Sequence, residues 1–130
     1  MATVLLYNLS DREKCMKIKF LLYRLGITGR EVVQEEFGLP LGALLSLPGF
    51  ETAEAAAGEA FSEEMLVMHA LTQAQFSGLL DGLRQDGVPV ALKAMVTETN
   101  ARWDSLRLHR ELSAEHAAMN RRAKSIHRKN

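Results

Sequence analysis

The sequence predicts an α/β fold: two strand–helix–strand units forming a four-stranded sheet, plus a long C-terminal helix. Three observations carry that expectation. Two short apolar runs rich in strand formers, Thr3–Tyr7 and Met65–His69, each lead into a helix-start signature and then an apolar stripe at helical spacing. Each stripe stops at a glycine, Gly26 or Gly87, and a second strand candidate follows. Residues 36–64 separate the units by a connection ample for a crossover, which parallel strands need and a hairpin does not.

In the first unit, Ser10-Asp11-Arg12-Glu13 has the form of a capping box. The Ser10 hydroxyl and the Glu13 carboxylate would each satisfy a backbone N–H left free at a helix start. Cys15, Ile18, Leu22 and Leu25 then share one helical face, with Leu21 beside them. Residues 30–34 read as a strand for a sheet edge. The second unit repeats the plan. Thr72-Gln73-Ala74-Gln75 is its capping box, and Phe76, Leu79, Leu80 and Leu83 form its stripe. Residues 88–96 are its closing strand, with Pro89 near the start, where a missing N–H is tolerated. The internal pseudo-repeat therefore spans 3–35 and 65–96, and aligning Ser10 with Thr72 sets Tyr7 on His69.

The connection, 36–64, holds Pro40, Gly42, Pro48 and Gly49 around a short apolar segment, 41–47. An alanine-rich piece, 51–60, follows, so a few helical turns and an exposed loop are expected there. The C-terminal helix should begin near Thr97 or Thr99, at about residue 98, with Trp103 and Leu106 opening its buried side. Glu98–Arg102 and Arg107–Glu111 are spaced as ion pairs along it. Residues 1–120 are expected to form a single α/β domain, and 121–130 a basic tail that frays.

The first and third strands are the most continuously apolar, as strands covered on both faces should be, so they belong at the centre. Two topologies put them there. One is a parallel three-layer sheet in the order 2-1-3-4. The other is a ferredoxin-like α+β sandwich, antiparallel, with its helices on one face. The long connection and the added helix favour covering both faces, and so the parallel form, with the ferredoxin-like sandwich as the alternative.

Composition limits the function classes. With 130 residues, 47% hydrophobic and 25% charged, the chain can bury a core of its own and is neither disordered nor membrane-like. No apolar run approaches the roughly 20 residues of a membrane-spanning helix. The formal charge is zero but divided: 1–120 hold 11 Lys+Arg against 16 Asp+Glu, while 121–130 hold five basic residues and no acid. Asn8, Asp11 and Arg12 interrupt the first apolar run too early for a signal peptide, and Cys15 has no partner for an internal disulfide. A cytoplasmic location is expected.

One stretch is denser in chemistry than the rest. Leu92-Lys93-Ala94-Met95-Val96-Thr97-Glu98-Thr99-Asn100, then Trp103, Leu106, Glu111-Leu112 and Glu115-His116, resembles a bacterial family of short proteins filed as a domain of unknown function. Its pattern is a strand ending Leu-Lys-Ala-x-Val-Thr-x-Thr-Asn, two residues, Trp, then a helix with a Glu-Leu step. The resemblance runs from Met65 to Met119 and implies no activity, since the family has none assigned.

In a parallel sheet, ligands sit outside the carboxyl ends of the strands, where helix starts offer free N–H groups. That rim would collect Asn8, Ser10, His69, Thr72, Thr97, Thr99 and Asn100. Lys93, inside an apolar strand, is either a contact for an anion or a stem lying along the sheet. Trp103 is a stacking platform or a core residue, and Asn100 orients Lys93 or caps the helix. The candidate ligand-binding residues are Lys93, Asn100, Thr97, Thr99, His69 and Trp103. No catalytic residue is assigned, because neither a Ser–His–Asp pattern nor paired carboxylates are visible. His109 and His116 share a helical face but lack the His-x-x-x-His or Glu-x-x-His spacing of a metal site, so no metal or cofactor is expected.

The reading is a small binding or interaction module for a small molecule or a protein, monomeric or homodimeric. One alternative is an enzyme using Lys93, with His69, on an anionic or carbonyl substrate. Another is weak nucleic-acid association through the basic tail, against which the acidic body stands.

Overall fold

The computed structural model describes residues 1–121 with their side chains and the backbone of the last helix to Arg128. The elements are β1 (Thr3–Tyr7), α1 (Arg12–Arg24), β2 (Thr28–Val32), α2 (Leu41–Leu44), β3 (Met65–His69), α3 (Gln73–Gln85), β4 (Leu92–Met95) and α4 (Ser105–Arg128). Single 3-10 turns lie at Gln34–Glu36 and Asn100–Arg102. The four strands form one sheet in the order β2-β1-β3-β4, with β1 and β3 central as expected.

The sheet is mixed, which corrects the parallel expectation. β1 pairs with β2 in parallel and β3 with β4 in parallel, but β1 and β3 are antiparallel. The ferredoxin-like alternative fails too, since each strand–helix–strand unit has its two strands as direct parallel neighbours. The physical reason lies in the connection. It leaves β2 at Val32 and enters β3 at Met65, and both residues pair with Tyr7, at the same end of the sheet. The connection thus folds over one face and returns, instead of carrying the chain to the far end. Asn8 fastens it there by donating its amide to the carbonyls of Phe61 and Glu63, at 3.0 and 2.9 Å.

Alternation along the strands divides the core into two layers. Val4, Leu6, Leu66 and Met68 pack with Ile18, Leu22, Leu79 and Leu83 of α1 and α3. Leu5, Tyr7, Met65 and Val67 face the other way, against Phe37, Leu41 and Phe61 of the connection and Leu106 and Leu108 of α4. The order is helices, sheet, then connection and α4: three layers, as expected.

The β1–β3 ladder pairs Thr3 with His69, Leu5 with Val67 and Tyr7 with Met65, so the units meet about a local two-fold at Leu5–Val67. Their turns match. Asn8 and Ala70, just after β1 and β3, are both left-handed, with φ of 60° and 61°. Both helices close on a left-handed glycine in a Schellman motif: Ile27 N–H donates to the Leu22 carbonyl and Val88 N–H to the Leu83 carbonyl. The helices lie close because Gly78 and Gly82 of α3 have no side chains where Leu25, just past the end of α1, and Leu21 of α1 arrive.

Four elements differ from expectation in where they start or how far they extend. The cap of α1 is Asp11 and not Ser10, because Ser10 N–H turns back to the Asn8 carbonyl and the Asp11 carboxylate accepts from Lys14 N–H. β2 begins two residues earlier than expected and β4 is shorter, covering only Leu92–Met95. Helix α4 starts at Ser105 and not near Thr97, with Asp104 accepting the Arg107 N–H at 2.8 Å. The intervening turn is pinned to the connection by Leu41 N–H to the Trp103 carbonyl and Ser105 N–H to the Phe37 carbonyl. Without a helix there, Glu98 and Arg102 form no ion pair among the described residues, and Arg107 stacks on Trp103 at 4.3 Å instead of pairing with Glu111. No helix among the described residues is long and apolar enough to cross a membrane.

Candidate functional site

Because the central strands run oppositely, the carboxyl ends of the two units lie at opposite ends of the sheet. The single rim expected from a parallel sheet is thereby divided. Asn8 and Ser10 stand at one end, beside Tyr7 and Val32; His69, Thr72 and Thr97 stand at the other, beside Thr3 and Thr28.

At the second end, a groove of about 550 Å³ opens between the sheet and the connection. Its floor is apolar, from Leu47, Pro48, Phe50, Val96 and Ala101, and its polar groups are His69, Thr97, Glu98 and Arg102. Each reaches the groove for a local reason. His69 is the last residue of β3 and half-buried, and its imidazole pKa is lowered from 6.5, first by burial and then by the amino-terminal charge. It is therefore neutral at pH 7, able to give one hydrogen bond and take another. Thr97 follows β4, which is held to β3 past its last residue by Val96 N–H on the Met68 carbonyl. Phe50 lies over Gly42, where a side chain on α2 would meet its ring. Arg102 ends the 3-10 turn, exposed.

The candidates named from sequence separate into groups. His69 and Thr97 come together in this groove. Asn100 supports it from behind: its carbonyl oxygen accepts Thr97 N–H at 2.7 Å, its amide donates to the Met95 carbonyl at 3.0 Å, and its own N–H donates to Thr97 Oγ1 at 3.1 Å. Two of these three bonds come from the side chain and one from the backbone, and together they tie Asn100 to Thr97 and Met95 and not to Lys93. Thr99 is exposed and makes no capping bond with its side chain. Trp103 is half-buried against the core under α4, with Arg107 over its outer face. Lys93 lies elsewhere, in a separate hollow with Leu80, Leu83 and Val90, its ammonium donating to the Val90 carbonyl. Among the described residues, Lys93 and His69 line different cavities.

Sequence reasoning missed Phe50 and Arg102. Phe50 sits in the aperiodic connection, where only its place after Pro48-Gly49 marks it. Arg102 was read as half of an ion pair on a helix that does not extend there.

The first end carries a smaller hollow of about 380 Å³, lined by Leu6, Asn8, Leu9, Ser10, Glu31 and Gln34 among others. Its best donor, the Asn8 amide, is already spent on the connection. Behind it, Phe37, Phe61 and His109 form an aromatic stack, the last pair parallel at 4.0 Å, with the Tyr7 ring tilted against Phe37 and Phe61. The Tyr7 hydroxyl shares a buried hydrogen bond of 2.7 Å with Ser105, and burial raises its pKa well above the usual range although that bond pulls it down. His109, Glu63 and Ser113 have the residue types of a hydrolytic triad. Yet Glu63 and Ser113 both approach the same ring nitrogen, Nε2, at 2.8 and 3.3 Å. A relay needs one partner on each nitrogen, so this cluster fastens the connection and does not activate Ser113. Cys15 is buried on α1 with its thiol pKa raised by burial and by Glu31, the opposite of an activated nucleophile. Among the described residues no three His, Cys, Asp or Glu gather as a metal site.

Residues 64–119 match the profile of a domain of unknown function (DUF3783). The similarity agrees with the resemblance drawn from the 92–103 stretch and carries no activity. It spans β3, α3, β4 and most of α4, and so includes every polar residue of the 550 Å³ groove. Leu47, Pro48 and Phe50 of the floor lie outside it. Comparison with curated proteins and with solved structures finds no match.

Proposed function

We propose that the chain is a ligand-binding module whose site is the groove at the carboxyl ends of β3 and β4. The ligand class is a small molecule with a compact apolar body and a single carboxylate. One observation carries the reading: His69, Thr97 and Arg102, from three separate elements, open onto one apolar-floored groove. Its size lies within the range of small-molecule sites, and its balance of apolar floor and few polar groups is the usual one. Arg102 supplies the charge for a carboxylate. Thr97 Oγ1 already accepts the Asn100 N–H, which leaves its O–H to donate. Neutral His69 gives or takes a further bond. Glu98 on the same rim disfavours multiply charged anions such as phosphate.

The enzyme alternative draws less support, since Lys93 is apart from His69 and its ammonium is engaged with Val90. The nucleic-acid alternative rests on the tail, whose side chains beyond Arg121 lie outside the described residues.

The test is an NMR titration with a panel of aliphatic and aromatic monocarboxylates, with inorganic phosphate as the counter-probe. Saturable shifts should gather at His69, Thr97 and Arg102, and phosphate should produce none there. Arg102→Ala should weaken binding roughly tenfold while leaving stability unchanged, because its side chain is exposed. A panel that leaves these three residues unmoved sinks the proposal.

A further inference from the structure

Helix α1 is apolar on two opposite sides. Cys15, Ile18, Leu21 and Leu22 are buried toward the sheet and α3. On the outer side, Met16, Phe20 and Tyr23 recur at i, i+4 and i+7 and are 70%, 63% and 80% exposed. Among the described residues only Arg24 reaches over them, its guanidinium 5.6 Å from the Phe20 ring centroid. The neighbouring helix α3 has no such stripe: its outer residues Ser77, Asp81 and Arg84 are polar and exposed. A lone exposed apolar residue is ordinary. Three in one stripe, bordered by charges, form the surface that a helix presents to another helix.

We propose that this outer face of α1 is where two copies of the chain associate, helix against helix and antiparallel about a two-fold axis. The charges on the stripe argue for a second copy over a foreign partner. Glu13 lies on it in the first turn and Arg24 in the last turn. An antiparallel copy brings each Glu13 to the other chain's Arg24, so one surface complements itself at both ends, as an isologous interface must. Both residues are available for this. Glu13 has a 3.5 Å pair with exposed Lys17, and Arg24 has a 3.9 Å approach to Asp86 and lies 5.6 Å over the Phe20 ring, all surface contacts that a partner can replace. The opposed helix dipoles add to the attraction. Phe20 falls near the middle of the contact, flanked by Met16 and Lys17 of the second copy.

The area sets the strength. At these exposures the two rings and the methionine offer roughly 400 Å² per chain on the scale of aromatic burial. That is about half of the ~800 Å² that a standard interface takes from each partner. A polar rim must supply the rest, so the dimer is reversible and its dissociation constant micromolar or weaker.

Sedimentation equilibrium of the full chain over a concentration series tests this, with α1 amide shifts followed by NMR on the same samples. The expected result is a monomer–dimer equilibrium whose shifts centre on Met16, Phe20 and Tyr23. Phe20→Arg should weaken it roughly thirtyfold or more, as loss of a central aromatic anchor does. Because Phe20 is mostly exposed, the variant should keep its fold, which thermal melting verifies. Glu13→Arg and Arg24→Glu should each weaken the dimer, and the double reversal should restore it. A chain monomeric at every concentration overturns the proposal and leaves the stripe to a different partner. A dimer that survives Phe20→Arg, or that the double reversal fails to restore, overturns it equally.

Discussion

The two strand–helix–strand units finish their strands at opposite ends of the same sheet, and the chain treats those ends differently. At the first, the connection is tied down by Asn8, by the Lys14–Glu64 ion pair at 2.6 Å and by the aromatic cluster of Tyr7, Phe37, Phe61 and His109. Polar groups there bond to one another. At the second, the same connection stands off the sheet, and His69, Thr97 and Arg102 line an open groove. Equivalent geometry thus supports a closure at one end and a candidate site at the other. The difference comes from where side chains find partners, not from the backbone.

Substitutions should separate the two ends by the size of their effects. Phe61→Ala at the closed end removes a ring stacked on both Phe37 and His109, and should cost about 3 kcal/mol in urea unfolding. A loss below about 1 kcal/mol would mean that the stack is not what holds the connection. Tyr7→Phe leaves Ser105 Oγ buried without a partner and should cost about 1.5 kcal/mol. Adding Ser105→Ala should recover most of that, since removing both hydroxyls strands neither, and a double variant no better than the single would contradict the pairing. At the open end, Ala70 holds a left-handed φ of 61° without a side chain that favours it. Ala70→Gly relieves that strain and should raise stability by about 0.5 kcal/mol, less than the full strain because glycine also loosens the unfolded chain.

The smallest effect is a titration. The lowered pKa of His69 means that the unfolded chain binds this proton more tightly than the folded one. Its contribution is therefore present above about 6.5, the unfolded value, and lost as the pH falls through the folded value. The NMR midpoint of His69 should lie below 6.5 and rise when a carboxylate occupies the groove. A midpoint at or above 6.5 in the free chain would contradict the burial assigned to it.

Much of the fold was legible because its signals are local. The runs at β1 and β3, the Thr72–Gln75 box and the glycines closing α1 and α3 each act within a few residues, and each works as read. The direction of β3 was not legible. Alternation of Leu66 and Met68 against Met65 and Val67 sends the same side chains to the same faces whether the strand runs up or down. Direction was decided by the far ends of the connection, through bonds from Asn8 to backbone carbonyls that no residue type announces. The site divides the same way. His69 and Thr97 were visible as strand-end polar residues, whereas the claim of Asn100 on three backbone and hydroxyl partners, and the arrival of Phe50, depend on contacts made only in the folded chain.

The antiparallel seam also has a kinetic meaning. Pairing β1 with β2, or β3 with β4, closes a loop of one helix, while pairing β1 with β3 brings together residues as far apart as Thr3 and His69. Loop entropy grows only slowly with length, yet it must be met before the contacts that reward it exist. Each unit therefore has a short-range route to its own ladder, and the seam at Leu5–Val67 is the long-range step. A chain opened within 51–60 would keep both short ladders intact and turn that step into an encounter between two fragments, its rate then set by their concentration.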